Sequence, residues 1–519
     1  MNDIQPLWTP SAERIATANL TRFIEQVNRN HGLALADYAS LYRWSIDDKE
    51  KFWSEIWDFC GIVGDKGERI LVDGEEIERA QWFVDAHLNV AENLLRRRDD
   101  SIACTFRAED QVEYALTWEQ LHQQVASVAA WLKQQGLQPG DRVAAYLPNM
   151  PEAVVAMLAA TSLGAVWTST SPDFGAESVI DRFGQTEPRF LFVADGYFYN
   201  GKRHELASRI REIRAQLPSV EQLVMIELAG FGNQVDAVDW RDIVAEPGGE
   251  IEFVPRAFND PLYVLYSSGT TGKPKCITHR VGGTLIQHLK EQMLHCDIHP
   301  GERVFFFTTL GWMMWNWLVS ALASEATLML YDGSPFYPDG EVLWRYADDI
   351  SLSFFGTSAK YLDALKNAGI KPMDKFELSA LRALGSTGSV LAPESFDYVY
   401  DNIKRDLCLA SMSGGTDIVS CFVLSCPLLP VYRGEIQCRG LGMAVDVFDD
   451  DGNPVRNQKG ELVCTQTFPC QPAFFWGDDG GEKYHNAYFA RFDNVWHHGD
   501  YVMLTERDGI VIYGRSDAT

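Results

Sequence analysis

Basic residues are scarce in this chain. Its 519 residues include 45 lysines and arginines against 72 aspartates and glutamates, a formal net charge of −27. Nonspecific nucleic-acid binding needs a basic footprint for the phosphates, and this deficit argues against it. Any anionic small molecule must be drawn in by local lysines and arginines against the field of the whole chain. Paired cysteines are also missing. The 10 cysteines are scattered, none forms Cys-x-x-Cys, and no His/Cys group has zinc-ligand spacing. Reduced thiols in a cytoplasmic protein are the expectation. The start, Met1-Asn2-Asp3-Ile4-Gln5, is neither basic nor followed by an apolar run, so no signal peptide is expected. There is no short-period repeat and no low-complexity tract. One charge-free stretch, Val304 to Ser324, is long enough to span a bilayer. It carries Trp312, Trp315 and Trp317 in its middle, whereas membrane helices keep tryptophan at their ends. A buried strand, a loop and a buried helix are expected there, and no membrane insertion.

What is present is a globular composition, 46% hydrophobic and 23% charged. The length suggests three or four domains of about 150 residues. The densest chemistry lies in Ser267-Ser268-Gly269-Thr270-Thr271-Gly272-Lys273-Pro274-Lys275, which follows the apolar run Pro261 to Tyr266. Glycines let backbone approach a ligand and turned amides cradle anionic oxygens. Hydroxyls add donors and lysines add positive charge. A loop that grips nucleotide phosphates is expected. It is not a Walker loop, because only two residues separate Gly269 from Gly272 and Pro274 follows Lys273. Pro274 also discourages a helix through Lys273.

Along the chain, the first 92 residues are rich in tryptophan and charge, with a helical stripe through Phe52, Ile56, Trp57 and Phe59 that Ser45 is placed to cap. From Thr117 a strand–helix alternation begins. A helix runs from Thr117 to Gln135 and ends at Gly136; 142–147 is a strand, 151–163 a helix, and 164–168 and 189–194 are strands. Such alternation implies parallel sheets covered by helices. A second set runs from the phosphate loop through Gly301 to about Leu424. After Pro430 short runs punctuated by Gly and Asp, with the turn Asp450-Asp451-Gly452-Asn453, predict a small antiparallel β subdomain.

The phosphate loop, in that order of residues after a strand, resembles the signature loop of the adenylate-forming superfamily, which includes acyl-CoA synthetases. Further segments match in register. Gly385-Ser386-Thr387-Gly388-Ser389-Val390 resembles the loop on the adenine side. Ser411-Met412-Ser413-Gly414-Gly415-Thr416-Asp417 contains a segment similar to Tyr-Gly-x-Thr-Glu, Trp496-His497-His498-Gly499-Asp500 is similar to Trp/Tyr-x-Thr-Gly-Asp, and Arg515 and Asp517 match an arginine at the nucleotide and a hinge acid. Trp44-Ser45, Phe52-Trp53, Trp57-Asp58-Phe59 and Trp82-Phe83 look like the N-terminal extension of acetyl-CoA synthetase-type enzymes.

The resemblance implies an α/β fold, with two doubly wound mixed or parallel sheets packed together and a small antiparallel β-barrel-like subdomain. It divides the chain into an extension (1–92), two α/β subdomains (93–255 and 256–430), a β subdomain (431–514) and a hinge stub (515–519), with the family's C-terminal domain expected to be absent. It implies an ATP-dependent acid–thiol ligase that forms an acyl-adenylate, releases pyrophosphate and passes the acyl group to coenzyme A. Ser267 to Lys273 would hold phosphates, and Lys275, Thr416 and Asp417 would serve the chemistry, with Asp417 also binding Mg²⁺. Gly388, Ser389, Val390, Ser411, Met412, Ser413 and Gly415 would frame AMP, Asp500 the ribose hydroxyls, and Arg515 the ribose or phosphate. Lys202 and Arg203 would meet CoA.

Two departures stand out. Asp417 is a methylene shorter than glutamate, so its metal contact is expected through water. Ser413 replaces an aromatic that packs on adenine. In acetate-activating relatives a tryptophan occupies the position of Gly414, so Gly414 is expected to leave room for a larger acid. Thr308 to Trp317, with Phe355 to Leu362, resembles the acetoacetate-activating branch. Trp312, Trp315, Asn316 and Gly414 are the expected pocket residues, with Asn316 donating to the ketone. Medium- or branched-chain acid activation, or ATP and adenylate binding without turnover, are the alternatives. As it stands the chain is expected to bind ATP, adenylate weakly and form little thioester.

Overall fold

The computed structural model describes residues 4–268 and 272–517. Gly269, Thr270 and Thr271 of the phosphate loop lie outside the described residues. Two large sheets carry the architecture. In the first, strands run in the order 238–239, 222–226, 190–194, 142–146, 166–170, 261–267, 275–280 and 474–475. Its centre is parallel, and 261–267 turns back antiparallel into 275–280. The second runs 408–411, 383–387, 354–358, 303–306, 327–332, 102–108 and 112–117, parallel except for its last pair. Each sheet borrows from the other's stretch of sequence: the hairpin at 102–117 closes the second sheet, and 261–280 completes the first.

The strand cores are buried on both faces, as in Phe190–Ala194 and Val166–Thr170, which is what helix-covered parallel strands require. Local chemistry sets the helix bounds. Thr117 caps Trp118–Gln134 in a reciprocal box with Gln120, and Pro151 opens Pro151–Ser162 at a position where its missing N–H costs nothing. Trp118–Gln134 ends just before Gly136, which takes φ 89°. Val304 to Ser324 becomes the strand Arg303–Phe306, a loop, the buried helix Met313–Val319 and a 3-10 turn. Among the described residues no helix is long and apolar enough to cross a membrane.

Ser45 is not a cap. Asp37 caps Tyr38–Asp47, and a separate helix, Lys49–Phe59, begins after Asp48; Ser45 lies inside the first and accepts from the Gly442 amide at 2.9 Å. The N-terminal segment is welded to the rest by aromatic packing. Trp53 meets Trp82 edge-on within the segment, and Trp57 and Phe83 pack on Phe258 beyond it. Asn89 donates to the carbonyls of Thr161, Ser162 and Val254. Beyond residue 440, an antiparallel sheet in the order 445–448, 459–464, 496–504 and 510–515 forms the small β unit, with Asp449 accepting from the Asp451 and Asn453 amides in the expected turn.

Candidate active site

The phosphate loop is a hairpin connection. Ser267 ends one strand, Lys275 begins the next, and the two are register partners. The chain therefore returns as a strand where a Walker loop would enter a helix. Ser268, Gly272 and Lys273 are exposed, and Gly272 takes φ 86°, a left-handed turn that glycine allows without strain.

Lys275 points across to the turn after the strand Ser413–Gly415. Its Nζ lies 3.4 Å from Asp417 Oδ1 and 5.5 and 5.7 Å from the Phe475 and Tyr488 ring centres. The Tyr488 hydroxyl donates to the same Asp417 oxygen. Burial would raise the Asp417 carboxyl, but the Lys275 ammonium, His498 and the Tyr488 hydroxyl bring it below the usual aspartate value. Burial and the Asp417 charge together push the Tyr488 phenol well up. Tyr488 stacks on Trp496, centroids 3.8 Å apart, which fixes its hydroxyl. The sequence reading passed over Tyr488, which sits in a short helix with no motif of its own.

A cavity of about 450 Å³ opens beside this pair. The turn Thr387–Leu391, the stretch Ser411–Thr416, and Asp500, Gly514 and Arg515 all line it. Gly388 takes φ 89°, and a Cβ there would lie 3.3 Å from the Trp312 ring, so the turn closes tightly over that indole. Asp500 and Arg515 face each other across neighbouring strands, joined by a 3.1 Å bond from Nη1 to Oδ1. Gly499 lies beneath them with φ 91°, a left-handed conformation that favours glycine. Arg515 also grips Asp517.

His497 and His498 diverge, as neighbours on a strand must. His497 meets Glu461 at 2.9 Å, while His498 donates from Nε2 to the Gly414 carbonyl at 2.6 Å and accepts the Trp496 indole N–H on Nδ1 at 3.4 Å.

Other expected residues fall differently. Trp312 lines the cavity, but Trp315 does not. Trp315 is fully buried, stacks on Trp167, and spends its indole N–H on Asn149 at 3.1 Å, so it is a core residue. Gly414 borders the cavity through its backbone. A Cβ there would sit 1.9 Å from the Ser420 carbonyl oxygen, against the next strand, so the glycine does not make room by withholding a side chain from the cavity. Lys202 and Arg203 lie away from it, at the hairpin joining Gly196–Tyr199 to Lys202–Glu205. Asn200 and Gly201 make that turn with φ 55° and 80°, and the buried Glu109 carboxylate accepts both their amides at 2.7 and 2.8 Å. Lys202 is exposed at the turn, whereas Arg203 is tied to the Ala229 carbonyl and lies over Phe231. Met313, Met314, Leu391, Ile436 and Ile512 also line the cavity. Ile512 lies on the last strand of the β unit and Ile436 is bridged to that strand at Ile510, and no pattern marks either.

Among the described residues no group of three or more His, Cys, Asp or Glu gathers to hold a metal ion. A Mg²⁺ carried in on nucleotide phosphates needs only one or two protein carboxylates, and ionised Asp417 is of that kind.

Glycine turns and the Asp500–Arg515 pair line one cavity, and the cationic hairpin and ionised Asp417 adjoin it next to Thr416, an arrangement suited to a nucleotide and its phosphates. The AMP-binding enzyme family matches residues 91–468, and the acetyl-coenzyme A synthetase N-terminus matches residues 38–94. An acetoacetyl-coenzyme A synthetase of Rhizobium meliloti is 51% identical over 519 residues, covering 99% of this chain and 80% of that protein. An acetoacetyl-CoA synthetase of Danio rerio is 44% identical over 99% of this chain and 78% of its own length. The structure of acetoacetyl-CoA synthetase from Streptomyces lividans superposes with a TM-score of 0.95 at 44% identity, covering 99% of this chain and 80% of that one. The chain belongs to the acetoacetyl-CoA synthetase family of AMP-binding, adenylate-forming ligases.

Proposed function

We propose that this chain activates acetoacetate. Its carboxylate attacks the α-phosphorus of ATP, forming the acyl–phosphate bond as the bond to pyrophosphate breaks. In the family's complete reaction the coenzyme A thiol then attacks the acyl carbon, AMP leaves and acetoacetyl-CoA results; the adenylation step is the one assigned to this chain's cavity. The observation that carries this reading is the convergence of the Gly388 turn, Ser411–Thr416 and the Asp500–Arg515 pair on one cavity beside Lys275 and Asp417.

In this reading the Ser267–Lys273 loop holds the β- and γ-phosphates that depart. Lys275 and the Thr416 hydroxyl face the α-phosphate, where negative charge must be met as it shifts. Asp500 takes the ribose hydroxyls as a two-oxygen acceptor, held in place by Arg515. Asp417 holds the Mg²⁺ that neutralises phosphate charge when the nucleotide is bound. Ile436 and Ile512 give the base an apolar face in place of the aromatic that Ser413 replaces. Exposed Lys202 meets the anionic end of coenzyme A, on a turn that Glu109 keeps rigid.

Asn316 supports the choice of acid. It is fully buried, and among the described residues neither Oδ1 nor Nδ2 has a partner. Like Trp315 it is not itself among the residues lining the cavity; it stands three residues beyond the cavity-lining Met313 on the same helix. A buried amide left unbonded costs about 1–3 kcal/mol, and a ketone oxygen among methionines would satisfy its N–H. Asn316→Leu is expected to lower pyrophosphate release with acetoacetate by about tenfold, equivalent to about 1.4 kcal/mol, while sparing butyrate. Equal losses with both acids would make Asn316 structural.

A further inference from the structure

A fully buried charged turn lies behind the cavity, outside the nucleotide chemistry. The helix Val281–Leu289 continues as a π-helical turn, Lys290–His295, on which Glu291 is 0% exposed. Turns of this kind concentrate at functional sites. Three donors meet the Glu291 carboxylate. The Ser420 hydroxyl at 2.7 Å and the Cys421 amide at 2.8 Å reach Oε2, and the Trp317 indole N–H at 3.2 Å reaches Oε1.

The donors belong to two different walls. Ser420 and Cys421 line the cavity themselves. Trp317 shares the helix Met313–Val319 with Met313 and Met314, which line it from another side. Gln287 and Gln292 repeat the grip, donating to the Ser420 hydroxyl oxygen at 3.0 Å and the Trp317 carbonyl at 2.6 Å. Lys290, next in sequence, is not the partner of this carboxylate. Its ammonium donates to the Leu441 carbonyl at 2.9 Å and faces Trp53. Glu291 therefore spends both oxygens on the cavity walls. The hold reaches the floor as well: Gly414 and Gly415 are register partners of Cys421 and Ser420, and the Ser420 carbonyl fills the space a Gly414 side chain would need.

We propose that Glu291 is a positioning residue for acid selectivity, fixing the separation between the helix Met313–Val319 and the strand Ser420–Leu424 and so the width of the cavity for the acid. This rests on the acid-activating function proposed above. A carboxylate suits the task because all three groups facing it are donors. A glutamine would present an N–H₂ to one of them and release that wall.

The test is Glu291→Gln, assayed by ATP-dependent pyrophosphate release with acetoacetate and with butyrate. The acetoacetate-to-butyrate ratio of kcat/KM is expected to fall about tenfold, with KM for ATP within about twofold of the parent. Trp317→Phe removes one donor while keeping an aromatic ring, is expected to shift the ratio in the same direction by a smaller factor, and carries the test if Glu291→Gln does not fold. An unchanged ratio, or parallel losses for both acids and ATP, overturns the proposal. No release from the parent chain with any acid overturns the functional reading itself, and this inference with it.

Discussion

Asp417→Asn is expected to reduce ATP-dependent pyrophosphate release at least a hundredfold while the protein stays folded. The carboxylate sits 3.4 Å from Lys275 Nζ and accepts the Tyr488 hydroxyl. Its pKa lies below the ordinary aspartate value, so it is fully charged at neutral pH. Asparagine keeps the size and an acceptor for Tyr488 but loses the charge. Removing one preorganised electrostatic contact from a transition state costs about 10²–10³ in rate. Two things would be lost together: the carboxylate that suits Mg²⁺ and the anchor that aims Lys275. Pyrophosphate release should be measured beside a thermal melt. A melt near the parent's with activity within about fivefold would remove Asp417 from the chemistry.

Gly414→Ala is expected to destabilise the protein by about 1–3 kcal/mol, the usual range for forcing atoms into a packed interior. Gly414→Trp is expected to abolish acid activation altogether. Its Cβ would stand 1.9 Å from the Ser420 carbonyl oxygen and 2.7 Å from the Cys421 Cα, both backbone atoms that cannot rotate away. The strand Ser413–Gly415 would have to leave its neighbour, carrying Thr416 and Asp417 with it. Sequence comparison alone leads to a different result, in which tryptophan at this position simply shortens the pocket and converts the enzyme to acetate. Melting temperature together with an acid panel separates the two outcomes. A stable Gly414→Trp protein that prefers acetate would contradict the packing seen here.

The contrast at Gly414 marks the limit of what the sequence makes legible. Local chemistry made the strand before Ser267 and the turn at Gly388 readable, whereas the pairing of Asp500 with Arg515 across neighbouring strands was not. A motif names residues without giving the direction of a Cβ, and at Gly414 that direction decides the physics. Trp315 and Asn316 are adjacent and equally apolar in setting, yet one indole is consumed by Asn149 while the neighbouring amide has no partner among the described residues. No periodicity distinguishes them.

The interleaving of the sheets is similarly hidden. Local alternation predicts parallel strands, but nothing local tells the hairpin at 102–117 to join the later sheet. Lys290-Glu291-Gln292, three polar residues in a row, is fully buried, because tertiary packing overrides local polarity. The cavity walls contributed by Ile436 and Ile512 carry no signal, since isolated apolar residues in loops and short strands are common in any β region.

The most direct measurement is pyrophosphate release by this chain with ATP and, in turn, acetoacetate, butyrate, a branched-chain acid and acetate. Acetoacetate is predicted to give the highest kcat/KM, with butyrate about tenfold lower for want of the ketone that Asn316 would bind. A preference for butyrate or a branched-chain acid over acetoacetate would contradict the account.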